Sequence, residues 1–232
     1  SPVILLYSEF LKSIFFEIKL TFTFINAFIN SILISLSTGV VVSIFGLLIS
    51  YLLVINHKNF LLQQLLFLTS SMILIISPII FSLGYFIFFQ PIIHYSYLKF
   101  FLVILINVIF LLPFAILIFF NNLKNLYLNF NDFRKTYRIE LFSYIKIIFP
   151  LLKNNFLYVF SFSTVITLGD FTIISFFRNE NFETLPSYLF KLISTYQFNE
   201  ASFVAGTILI ISMIIYFFID NLNYQGRPDI TT

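Results

Sequence analysis

The sequence predicts an all-α fold, a polytopic transmembrane helical bundle of about five to six spans. Three observations predict it. The 232 residues are 59% hydrophobic and only 10% charged, whereas soluble domains carry about 25% charged residues. The charge-free runs 27–56, 59–98, 100–123 and 201–219 each approach or exceed the roughly 20 apolar residues that carry a helix across a bilayer. With 6 glycines and no series of short alternating segments, a membrane β-barrel is a poor fit.

Taken in order, residues 1–26 mix Glu9, Lys12, Glu17 and Lys19 with aromatics and form an N-terminal periplasmic or interfacial segment. The first span, 27–55, carries Ser31, Ser35, Ser37, Thr38, Gly39, Ser43, Gly46 and Ser50. Small residues let helix backbones approach closely in lipid, so this helix is expected inside the bundle. The second span, 60–89, has Ser77-Pro78 in its middle. Proline removes a backbone donor there, which predicts a kink. The third span is 100–120, with Pro113 near its far end. A polar segment, 121–153, follows. The fourth span, 154–177, is interrupted at Gly169-Asp170, the loop 178–200 contains Thr184-Leu185-Pro186, and the fifth span is 201–219. The bundle as a whole covers 27–222, and 223–232 is a polar tail.

Basic residues orient such a bundle, because they are retained on the cytoplasmic side. Lys58, Lys124, Arg134, Lys135, Arg138, Lys146, Lys153 and Arg227 fall on one side, against Lys12, Lys19, Lys99, Arg178 and Lys191 on the other. The first set is assigned to the cytoplasm, with the tail inside and the start of the chain outside. A chain that begins at Ser1 and starts outside without a signal-like segment is what the second half of a longer protein would look like.

Catalytic chemistry finds no support. There is no cysteine, and His57 and His94 have no carboxylate at helical spacing. No metal site, cofactor site or glycine-rich phosphate loop is recognisable, and the net charge of +3 reports topology rather than nucleic-acid binding. Two places stand out. Phe130–Pro150 holds Asp132, Arg134, Lys135, Arg138, Glu140 and Lys146, with Phe133, Tyr137, Leu141 and Ile145 recurring every four residues. That spacing predicts an amphipathic cytoplasmic helix able to enter a partner's groove. Asp170 is the one carboxylate within a predicted span. Two readings stand: it faces a translocation path, or it marks a helix break and caps the next short helix.

These residues resemble those of a known family. The end of the polar segment, Ile147-Ile148-Phe149-Pro150, resembles the Ile-x-Leu-Pro that closes the cytoplasmic coupling loop of binding-protein-dependent ABC importer permeases. In that register Tyr137 takes the place of the loop's glycine and Asn131-Asp132-Phe133 that of its Glu-Ala-Ala, so the first half departs from the pattern. Thr167-Leu168-Gly169-Asp170-Phe171 resembles the family's Leu-Gly-Asp/Glu-Phe segment. Thr184-Leu185-Pro186-Ser187-Tyr188-Leu189-Phe190 and Ser194-Thr195-Tyr196 are most similar to the thiamine/thiamine-pyrophosphate type, as are Leu112-Pro113-Phe114-Ala115 and Gln225-Gly226-Arg227. The resemblance spans roughly residues 27–228 and corresponds to the C-terminal half of a permease with two homologous halves.

The resemblance implies a type I importer fold and a non-enzymatic transport subunit in the bacterial inner membrane. Thiamine or thiamine phosphates are the implied substrate; a ferric-iron or other small-solute permease is the alternative, and a secondary transporter a more distant one. It implies cytoplasmic ABC ATPase subunits, a periplasmic substrate-binding protein, a second permease half or copy, and membrane lipid as partners. Asp132, Arg134, Lys135, Tyr137, Arg138, Glu140 and Pro150 would form the ATPase-coupling surface. Gly169 and Asp170 would belong to the pathway or gate, and Thr184, Leu185, Pro186 and Tyr188 to the periplasmic mouth.

Overall fold

The computed structural model describes residues 22–55, 64, 75–91, 96–137, 141–179 and 182–224, with the backbone alone between 127 and 151. It contains α1 (Phe22–Ile55), α2 (Pro78–Phe89), α3 (Ser96–Tyr137), α4 (Leu141–Gly169), α5 (Ile174–Phe177), α6 (Leu185–Ser194) and α7 (Phe198–Tyr224). Within α1, α3 and α7, the stretches Thr23–Val54, Tyr97–Leu126 and Phe198–Ile219 are long and apolar enough to cross a membrane, and α2 is a shorter apolar helix. The described residues thus form an all-α membrane helical bundle.

α1 is the central post and packs along both α3 and α4, while α7 leans on α4 and α6. The reason lies in the small residues of α1. Ser31, Ser35, Thr38, Ser43 and Ser50 are buried, as are Gly39 and Gly46, whereas Ile29, Leu33, Val40, Ile44, Leu48 and Leu52 point outward. That is the reverse of a soluble helix. Lipid solvates the large apolar side chains, so close backbone approach decides which face turns inward. A β-carbon on Gly39 would collide with Thr164 Oγ1 of α4, and one on Gly46 would lie 2.6 Å from Ala115 Cβ of α3. The two glycines therefore mark the two helix crossings. Two of the inward hydroxyls bond locally or across the crossing: Ser43 Oγ donates to Gly39 O at 2.8 Å, and Ser50 Oγ to Ile116 O of α3 at 3.1 Å.

Three hydrophobic clusters fill the spaces. Val42, Val54, Leu111, Phe119, Leu152 and Val159 join α1, α3 and α4. Ile34, Val103, Ile106, Ile174 and Phe177 join α1, α3 and α5, with Phe81 and Phe86 of α2 against them. Ala27, Leu185, Tyr188, Leu192, Ala201 and Val204 join α1, α6 and α7.

Helix ends differ from the expected ones in three places. First, α3 continues unbroken past residue 120 to Tyr137. No Gly or Pro occurs between Pro113 and Pro150, and Asn122 satisfies its amide within the helix by donating to Ile118 O at 2.8 Å. The described residues of the polar segment therefore belong to α3 and α4, the long helices on either side of it. α3 is described as far as Tyr137, the position aligned with the coupling-loop glycine, and Pro150 lies inside α4. Second, α4 stops at Gly169 rather than running to 177. Third, Pro78 does not kink the middle of a helix. It occupies the first turn of α2, behind an extended Ser77 (ψ 128°), where its missing N–H costs nothing. Residues 60–63 and 65–74 of the expected second span, His57 and His94 lie outside the described residues.

Candidate functional site

The break after α4 gathers the sequence-predicted residues of the upper half. Gly169 closes the helix, and the next residues form a turn held by Asp170. Its Oδ1 accepts the Thr172 N–H at 2.9 Å and its Oδ2 the Ile173 N–H at 3.3 Å. Ser175 Oγ donates to Thr172 O at 2.7 Å, and the short α5 follows. Of the two readings of Asp170, the local geometry displays the cap: a carboxylate takes up amides that a new helical turn leaves without partners.

The same carboxylate also lines a small cavity with Ser31 and Ile34 of α1, Val103 and Asn107 of α3, Thr167 and Leu168 of α4, Ile174 of α5, and Thr184 and Pro186 at the start of α6. Gly169 faces a different space. It lines a larger apolar groove of about 320 Å³ with Phe171, Pro186, Leu189, Phe190, Ile193, Ala205 and Ile208. Phe171 stacks on Phe190 with ring centres 4.7 Å apart, and the Arg178 guanidinium lies 5.5 Å from the Phe190 ring centre. Such a contact is favourable because the ring face is electronegative.

α6 begins with Thr184 as N-cap and Pro186 in its first turn. Ser187 Oγ accepts the Thr184 N–H at 2.8 Å. The Leu185 amide, free of any partner within its own helix, donates to Ser31 Oγ of α1 at 2.7 Å. Asn30 Nδ2 of α1 donates to Glu183 O at 3.0 Å. Thus α1 clamps the entry of α6 across 153 and 154 residues of sequence. Nothing in the pattern of the first span marked Asn30 or Ser31 as holding this loop. The one available signal was that Ser31 is small and polar in an apolar run.

Thr184, Leu185, Pro186 and Tyr188 are the residues that the resemblance assigns to the periplasmic mouth. The structure turns all four inward; Leu185 is fully buried and Tyr188 is 9% exposed. The reason is the amphipathic register of α6. Leu185, Tyr188 and Leu192 fall on one stripe against α1 and α7, which leaves Phe190, Lys191 and Ile193 exposed. Lys191 Nζ pairs with Glu183 Oε1 at 2.9 Å on that outer face. The Thr-Leu-Pro segment therefore anchors the start of α6 against α1 and α7. The C-terminus of α6 is a Schellman closure: Gln197 N–H reaches Leu192 O and Tyr196 N–H reaches Ile193 O, with Tyr196 at φ 61°.

The coupling residues are only partly described. Asp132, Arg134, Lys135 and Tyr137 lie on the backbone of the last turns of α3, and Pro150 on that of α4. Their side chains, and Arg138 and Glu140 entirely, lie outside the described residues. Among the described residues no cluster of three or more His, Asp or Glu side chains could hold a metal.

An all-α membrane bundle with a capped break between two long helices and a clamped short helix after it is the class of protein defined here. No protein-family model matches the chain. It is similar to the thiamine transport system permease protein ThiP of Escherichia coli (strain K12), 26% identical over 167 residues, 72% of this chain and 31% of that protein. It is similar to ThiP of Salmonella typhimurium, 26% identical over 160 residues, 68% of this chain and 30% of that protein. The match to ThiP of Haemophilus influenzae is 26% identity over 179 residues, 73% of this chain and 31% of that protein. The aligned part thus spans about a third of the length of the curated relatives it matches. The resemblance to ABC permeases of the thiamine type, read above from motifs, is borne out along most of the chain.

Proposed function

We propose that the chain is the membrane permease part of an ATP-driven ABC importer in the bacterial inner membrane, translocating thiamine or thiamine phosphates. One observation carries the proposal: the alignment to three thiamine permeases extends over 68–73% of this chain, on an all-α membrane bundle. The assignment of roles follows from the proposal. ATP hydrolysis belongs to cytoplasmic partner subunits, and a periplasmic binding protein delivers the substrate. A second permease half or copy completes the pathway. Three further features of the bundle support this reading. α3 and α4 extend beyond the length needed to span lipid, at about 63 Å for the 42 residues of α3. The basic residues of the sequence cluster around the bounds Tyr137 and Leu141, which suits a docking element outside the bilayer. At the other pole, Gly169 and Asp170 sit at a break between helices, where pathways in membrane proteins bend.

The coupling assignment is tested by reversing charge at Arg134 and Arg138 together. The expected result is ATP hydrolysis by the assembled complex that no longer drives uptake. Unchanged coupling in the double variant would remove the docking role from this segment.

A further inference from the structure

The small cavity beneath the α4–α5 break has a chemistry unlike the rest of the interior. Five of its ten lining residues, Ser31, Asn107, Thr167, Asp170 and Thr184, bear polar side chains. Thr167 Oγ1 is buried and has no hydrogen-bond partner, although Thr167 is only 6% exposed. A buried hydroxyl without a partner forfeits its hydration with nothing in return, so native interiors rarely leave one unpaired. The cavity offers about 10 Å³ to the centre of a water-sized sphere, which is roughly what a single water needs.

We propose that this cavity is a built hydration site holding one water molecule, bonded to Thr167 Oγ1 and tying α4 to α1, α3 and the start of α6. The donors and acceptors balance. Thr167 Oγ1 can donate or accept. Asn107 spends one amide proton on Val103 O at 3.0 Å and keeps a second proton and its oxygen. Asp170 accepts from the Thr172 and Ile173 amides and retains acceptor capacity. Ser31 Oγ takes the Leu185 N–H and still has its own proton to give. A buried water typically makes about three such bonds. It would bind the helix break, the central post and the clamped entry of α6 at one point. The site stands on cavity size and polar satisfaction, and does not depend on which solute is transported.

The test is X-ray-generated hydroxyl-radical labelling of the membrane-embedded full reading frame, read by mass spectrometry. Radicals form from bound water as well as bulk water and react with the side chains beside it. Ile34, Leu168 and Ile174 line the cavity and are at most 3% exposed. They are expected to be labelled several-fold more than Val42, Phe119 and Val159, which are equally buried away from it. Labelling no greater than at those core residues would overturn the proposal. Thr167→Val keeps shape and removes the hydroxyl, and is expected to abolish the excess. Thr38→Val serves as the control: Thr38 Oγ1 is likewise buried and without a partner but lies outside this cavity, so the excess is expected to persist. Excess labelling that survives Thr167→Val would refute the role of Thr167. Should that variant fail to fold, the wild-type comparison still decides whether the water is there.

Discussion

Gly39→Ala adds one carbon at the point where α1 crosses α4. The new Cβ would collide with Thr164 Oγ1 and lie 3.1 Å from both Phe160 Cδ2 and the Phe160 carbonyl oxygen. The hydroxyl could turn away only by giving up its 2.6 Å bond to Phe160 O, and the carbonyl is backbone and cannot rotate out of reach. The helices must separate, and overpacking of this kind costs about 1–3 kcal/mol. Alanine recovers roughly 0.5–1 kcal/mol through its better helix preference, so the net loss is about 0–2.5 kcal/mol, centred near 1. Gly84 of α2 is the internal reference, because a Cβ there would meet nothing within 4 Å. Gly84→Ala is expected to be neutral or to stabilise by roughly 0.5–1 kcal/mol. The assay is the midpoint of detergent-driven unfolding in mixed micelles, followed by tyrosine fluorescence, which the absence of Trp makes clean. Adding Thr164→Ala to Gly39→Ala is expected to recover part of the loss. Equal midpoints for Gly39→Ala and Gly84→Ala would refute the claim that close approach at Gly39 sets the α1–α4 crossing.

Ser31→Ala removes the acceptor of the buried Leu185 N–H, at a cost of about 1–3 kcal/mol. Hydrogen exchange in the peptide covering 183–192 is expected to quicken, while exchange in α3 is unchanged; equal protection would remove the clamp. Tyr196→Gly relieves a non-glycine residue from the left-handed region at the end of α6, where Tyr196 is 82% exposed. It is expected to stabilise by about 1 kcal/mol, read as a raised unfolding midpoint. Gly46→Ala is expected to behave like Gly39→Ala at the α1–α3 crossing, since Ala115 Cβ cannot move without its backbone.

The class of fold was legible from apolar runs and scarce charge, because the bilayer imposes length and composition on each spanning helix. The inward face of α1 was legible too, since small residues are the signal that lipid leaves for helix contact. Helix ends were less so. The extension of α3 to Tyr137 could not be read from Asn121 and Asn122, since asparagine in a helix is satisfied by the backbone one turn earlier, as Asn122 is by Ile118 O. Pro78 reads as a kink in the sequence, because its place in a long apolar run hides the helix start that the extended backbone of Ser77 marks. At the site, Gly169-Asp170 announced a break by its own chemistry. The partners of the break did not, because Asn30, Ser31 and Asn107 come from helices far away in sequence. The burial of Thr184, Leu185, Pro186 and Tyr188 depends on which face α1 and α7 cover, a tertiary fact that the order of residues in a motif does not state.

The most direct test is uptake of labelled thiamine by cells or vesicles carrying the full reading frame that contains this chain, together with its neighbouring ATPase and binding protein. Ferric iron uptake runs in parallel. The account predicts ATP-dependent accumulation of thiamine or its phosphates that is lost when the ATPase is inactivated and unaffected by iron. Iron uptake without thiamine uptake would contradict the substrate assignment, and thiamine uptake that persists with an inactive ATPase would contradict the ATP-driven mechanism itself.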